Sequence, residues 1–135
     1  MDSKFLIVTF GAWFLFMVLA IVNAVIREAV FASFLDELQA HQLSTFTLMI
    51  LIFFGTFLIL RFTGLTLTDR QTFLMGIIWV IMTISFEFLA GHYAFGNSWE
   101  KLIADYNILK GRIWIFIPIT SFISPYLANR LVQLI

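Results

Sequence analysis

The feature that most constrains this chain is a series of four long apolar runs. Phe5 to Ile26 carries no charge over 22 residues, about 33 Å at helical rise, and a bilayer core about 30 Å thick is crossed by some 20 such residues. Leu43 to Leu60 forms a second run and Phe73 to Ala90 a third, with Glu87 as its single charge. Ile113 to Leu127 is a shorter fourth that carries Pro118 and Pro125. A helix satisfies its own backbone in lipid. The expected fold is therefore all-α and polytopic: four transmembrane helices, about 5–26, 43–60, 70–90 and 110–128, in one up-down-up-down bundle with short interfacial helices on one side. Composition agrees, with 61% hydrophobic and 12% charged residues, where soluble domains carry about a quarter charged.

Several functions lose their footing at once. Eight basic residues balance eight acidic ones, which leaves no excess of cations to neutralise phosphates, so nucleic acid is not expected as a partner. The absence of cysteine removes disulfide, thiolate-metal and thiol-exchange chemistry. No Walker loop, G-x-G-x-x-G or G-x-S-x-G occurs, so neither a nucleotide enzyme of the soluble type nor a serine hydrolase is expected.

Local signals set the boundaries. Thr68 followed by Gln71 reads as a capping box, which starts the third helix near Asp69 with Gly64 in the turn before it. Pro118 and Pro125 would leave the carbonyls of Trp114 and Ser121 without helical partners, so a kink is expected, with Thr120, Ser121 and Ser124 available to the freed groups. Between the first two runs, Val30, Phe31, Phe34, Leu35 and Leu38 recur at helical spacing, which predicts a short amphipathic helix. After Gly96, Asn97 or Ser98 can cap a second one, with Trp99, Leu102, Ile103, Tyr106 and Leu109 on one face. These faces either meet headgroups or pack on the bundle. Val22-Asn23-Ala24 has the small-residue spacing of a signal-peptidase site, but the apolar run is too long for a signal peptide, so the first helix is expected to be retained.

Four spans put both termini and the 61–72 loop on one side and the 27–42 and 91–112 segments on the other. Lys4, Arg61, Arg70 and Arg130 on the terminal side are matched by Arg27, Lys101, Lys110 and Arg112 opposite, so the positive-inside rule ties. Cytoplasmic termini are favoured because Arg27, Lys110 and Arg112 fall where they can lie inside the bundle.

Charge is unevenly spread. Arg27, Glu28, Asp36, Glu37, Glu87, Glu100, Lys101, Asp105, Lys110 and Arg112 all belong to the loop 1 and loop 3 end, as do both histidines; Asp2, Lys4, Arg61, Asp69, Arg70 and Arg130 are left for the other end. Asn23 and Arg27 are one turn apart on the first helix, and Thr83, Glu87 and Gly91 on the third. Asp105 and Arg112 align if helix continues through Gly111. The candidate ligand-binding cluster is Asn23, Arg27, Glu28, His41, Glu87, His92, Asp105, Asn107, Lys110 and Arg112. Glu87 leads it, because a carboxylate inside a span must be paired, protonated or wetted. Arg27 is its first expected partner and Lys110 or Arg112 its second; a structural ion pair is the plain alternative. His92 is expected to bond Glu87, Glu28 or water. Haem held by His41 and His92 remains an alternative without a supporting motif, so no cofactor is expected, and no metal or catalytic residue is assigned. The phenylalanines read as lipid-facing or core residues, and Trp99, Tyr93, Tyr106 and Trp114 as interfacial. An aromatic pocket for a quinone, sterol or lipid tail would draw on Phe16, Phe31 and Tyr106.

The segments Asn23, Arg27-Glu28, His41-Gln42-Leu43-Ser44-Thr45, Gly91-His92-Tyr93, Gly96, Ser98-Trp99-Glu100, Asp105-Tyr106-Asn107, Gly111-Arg112 and Trp114 resemble a pattern in small four-span bacterial inner-membrane proteins of unassigned function. The resemblance covers about two thirds of the chain and implies a bacterial inner membrane and a four-helix layout, with no activity or cofactor. The expected role is binding of an anionic lipid or small acid, with Arg27, Lys110 and Arg112 opposite Glu87 and Asp105, or service as an accessory subunit. The alternatives are a membrane enzyme using Glu87 or His92 as acid or base on a lipidic substrate, and a structural subunit of a larger membrane complex.

Overall fold

The computed structural model describes residues 3–135, so Asp2 lies outside the described residues. The chain is helical, with no strand among the described residues. Helix α1 spans Ser3–Ala29, α2 Glu37–Thr63, α3 Asp69–Tyr93, α4 Trp99–Ala104 and α5 Phe116–Leu134, with 3-10 turns at Phe31–Ser33 and Ile108–Lys110. Among the described residues three segments are long and apolar enough to cross a membrane: Ser3–Ser33, Glu37–Thr63 and Asp69–Tyr93. The fourth run becomes α5, whose helix starts at Phe116, so residues 110–115 lie before it, and whose Thr120, Ser121, Ser124 and Asn129 are buried.

Caps explain most of the ends. Thr68 and Gln71 form the expected reciprocal box, with Gln71 N–H donating to Thr68 Oγ1 at 3.2 Å and Thr68 N–H to Gln71 Oε1 at 3.0 Å. Asp36 and Gln39 form a second box. This one starts α2 at Glu37, and the amphipathic helix expected over Val30 to Leu38 is replaced by a 3-10 turn and the first turn of α2. Ser98 caps α4, which stops at Ala104. The prolines differ in effect. Pro118 falls in the first turn of α5, where amides lack intrahelical partners anyway, and the Trp114 carbonyl accepts from Ile117 N–H at 2.9 Å. Only Pro125 interrupts the helix interior.

Helix α5 lies between α2 and α3, while α1 packs on α2 and meets α3 over a short length. A small residue permits a close approach of α3 to α5: Gly76 faces the backbone of Phe122. Two tryptophans tie α1 to α3. Trp79 Nε1 donates to the Thr9 carbonyl at 2.8 Å and Trp13 Nε1 to Thr83 Oγ1 at 3.1 Å. Phe16 stands edge-on to Trp79 at 5.2 Å. Phe5, Leu48, Leu60, Met75 and Ile117 complete the core, while Ile7, Val25, Phe54 and Ile81 are exposed.

Candidate functional site

On the loop 1 and loop 3 side of the tryptophan ties, residues of α1 and α3 line a cavity of about 620 Å³. Its deep end is closed by Trp13, Phe16 and Trp79. Leu48 and Ile52 of α2 and Ile117 of α5 form its back wall, and Leu102, Asp105 and Tyr106 from the α4 segment cover it. Ile21, Val25 and Phe95 line the rim and are exposed, so the mouth opens between α1 and α3. From Trp79 to Glu87 along α3 is about 12 Å at helical rise. The residues of that stretch that line the cavity before Glu87 are apolar apart from Thr83, which already accepts from Trp13.

Polar groups collect at the outer end. Trp114 Nε1 donates to Glu87 Oε1 at 2.7 Å, and the Tyr106 hydroxyl donates to Oε2. Tyr106 is held flat on Phe88, with ring centres 5.8 Å apart. This arrangement satisfies the carboxylate with two neutral donors, one from the α4 segment and one from the approach to α5. The expected pair with Arg27 is corrected: the Arg27 guanidinium donates to Ser44 Oγ at 3.3 Å and its Nε lies 3.5 Å from Glu28. Depth along a helix was legible, but rotation about its axis decides which neighbour is met.

His41 is 7% exposed and lines the cavity with its ring 5.3 Å from that of Trp114. Its Nδ1 is buried with no hydrogen-bond partner among the described residues. Asp105 also lines the cavity, within electrostatic reach of His41 and Glu87. Arg27, Glu28, His41, Glu87 and Asp105, from four separate segments, therefore share one space.

The other candidates lie elsewhere. Asn23 is buried and joins α1 to α2, donating to the Ser44 carbonyl at 2.8 Å and accepting from Thr47 Oγ1 at 2.7 Å. His92 stacks on Trp99 at 3.9 Å and its Nδ1 meets the Asn97 carbonyl at 2.8 Å, so the expected bond to Glu87 or Glu28 is not made. It does not line the cavity that His41 faces. Asn107 precedes the second 3-10 turn, and Lys110 is exposed at its end. Arg112 grips Glu37 with two bonds of 2.9 and 2.6 Å, and this hydrogen bonding raises its pKa above the ordinary arginine value. The placement of Lys110 and Arg112 inside the bundle is thus corrected. Helix α4 stops at Ala104, so no helical register runs from Asp105 to Arg112, and before Arg112 the chain turns at Gly111 with a left-handed φ of 83°. The Gly111 carbonyl accepts from Gln42 Nε2 at 2.8 Å, pinning this turn to α2.

Of the aromatic candidates, Phe16 and Tyr106 line the cavity and Phe31 does not. Trp114 is expected at the interface near Asn107 and Lys110, but its spacing from Glu87 holds no clue that they bond. Among the described residues no group of three or more His, Asp or Glu is placed to hold a metal. No protein family, curated protein or solved structure matches the chain.

Proposed function

We propose that this chain is a four-span, up-down-up-down membrane protein, with α5 as the fourth span, that binds one small amphiphile between α1 and α3. The observation that carries this reading is the cavity itself: an apolar shaft ending on Trp13 and Trp79, with ionisable groups only at its outer end. Its volume of about 620 Å³ falls within the roughly 300–1,000 Å³ of small-molecule sites. An apolar body would lie in the shaft and a polar head would reach Arg27, His41, Glu87 and Asp105. The expected anionic head loses support because Lys110 and Arg112 do not line the space. A bacterial inner membrane and cytoplasmic termini complete the proposal.

Tryptophan fluorescence tests it. Trp13, Trp79 and Trp114 line the cavity and Trp99 does not. In nanodiscs, a single-chain amphiphile brominated along its tail should quench emission saturably, with one bound per chain by native mass spectrometry. Ala24→Phe, which puts a ring into the shaft, should abolish the saturable component. Quenching that rises only in proportion to the probe dissolved in the lipid would refute the reading. Since the chain has no cysteine, labelling of Thr66→Cys and Leu109→Cys from each side of sealed vesicles tests the topology; both on the same side would overturn it.

A further inference from the structure

The cavity's chemistry goes further than its shape, because most of its polar groups are already engaged and those left over share a character. Glu87 accepts one hydrogen bond on each oxygen, from Trp114 and Tyr106. Arg27 is held by Ser44 and Glu28. Asp105, by contrast, has no side-chain hydrogen bond among the described residues, and the buried His41 has an unbonded Nδ1. A buried acceptor without a partner is costly, so a group that donates to it is strongly favoured there. One guanidinium also stands against three carboxylates in the lining, Glu28, Glu87 and Asp105, a balance that disfavours an anion. The rings of Trp114, Tyr106 and Phe88 wall the same end, and aromatic faces attract cations.

Resting on the amphiphile reading, we propose that the head of the ligand is a protonated primary amine, seated between the Asp105 carboxylate and His41 with its tail toward Trp79. An ammonium carries three donors and no acceptor. It can give one to Asp105 and one to His41 Nδ1, with the neutral imidazole protonated on Nε2. The third faces Glu87, whose two oxygens retain lone pairs. Arg27 stays outside this set because Glu28 neutralises it at the mouth.

A panel of heads on one tail separates this inference from the reading beneath it. Dodecylamine, dodecanol and dodecanoate are each titrated against the brominated probe on the full chain in nanodiscs of neutral lipid, with concentrations corrected for partitioning into empty discs. The amine should displace the probe at about tenfold lower concentration than the alcohol, the difference one charge-assisted hydrogen bond makes, and dodecanoate should be weakest. Asp105→Asn should remove most of the amine's advantage, weakening the amine far more than the alcohol. Dodecanoate matching or beating the amine on the unmodified chain overturns the head assignment while the amphiphile reading stands, whether or not the variant folds. Equal losses for all three heads in a folded Asp105→Asn variant overturn it too. If none of the three displaces the probe, the amphiphile reading falls and the amine falls with it.

Discussion

Gly76→Ala probes the interface that holds the cavity's back wall and the Glu87–Trp114 bond in register. A Cβ at position 76 would stand 2.4 Å from the Phe122 carbonyl oxygen and 3.1 Å from its carbon. Carbon and oxygen approach comfortably to about 3.3 Å, so α3 and α5 would have to part by roughly 0.9 Å at that level. Both obstructing atoms are backbone, so no change of rotamer relieves the contact. Alanine gains about 1 kcal/mol over glycine in helix propensity, and overpacking costs about 1–3 kcal/mol. The crowding here is at the severe end, so a net loss of about 1–2 kcal/mol is expected. Gly11 serves as the control, because a Cβ there meets nothing within 4 Å; alanine should be neutral or stabilise by up to about 1 kcal/mol. Reversible unfolding in mixed micelles of increasing dodecyl sulfate, followed by tryptophan emission, measures both variants. Equal stability of Gly76→Ala and Gly11→Ala would refute the close-packed α3–α5 contact.

Glu87→Gln should fold with little loss, since an amide can accept from Trp114 and donate to Tyr106, whereas Glu87→Leu orphans both donors and should cost about 2 kcal/mol or more; equal stability of the two variants would remove the clamp. In double-mutant cycles on unfolding, Glu87→Leu with Trp114→Phe should couple by about 0.5–3 kcal/mol, while Glu87→Leu with Arg27→Gln should add to within about 0.5 kcal/mol. Coupling in the second cycle alone would restore the ion pair that the geometry replaces. Phe16→Ala should lower the stability of the empty protein by about 3 kcal/mol and shift preference from dodecyl to hexadecyl tails in the displacement assay; an unchanged preference would mean that the deep end lies elsewhere. Arg112→Lys gives up the fork on Glu37, which is largely exposed, so the loss in unfolding free energy should stay below about 1 kcal/mol. Hydrogen exchange should nevertheless rise at residues 108–112.

How much could be read beforehand depended on the kind of information each feature needs. The Thr68–Gln71 box is a local pattern, and it appeared as expected. Asp36 and Gln39 carry the same signal three residues apart, and the rule applied at Thr68 would have started α2 at Glu37; the apolar recurrence from Val30 to Leu38 obscured it. The crowding of charge at one end and the cost of Glu87 in a span pointed to the end of the chain's fold where the cavity lies. The partners did not follow from spacing. Arg27 and Glu87 share a depth, but Arg27 turns toward Ser44 and Glu28 while Glu87 turns toward Tyr106 and Trp114. Helix α4 ends at Ala104 and the chain turns left-handed at Gly111, so Arg112 bonds Glu37 instead of aligning with Asp105. Contacts of this kind are set by how helices rotate against one another, which periodicity leaves open.

The rim of Ile21, Val25 and Phe95 bears on where a guest would come from. In the proposed membrane setting, a chamber whose doorway parts two apolar helices would be stocked by the fatty phase beside it, not by the surrounding water. Its filling would then track the abundance of the guest among neighbouring membrane molecules, so that sparingly soluble compounds, nearly absent from the aqueous medium, could still keep it full.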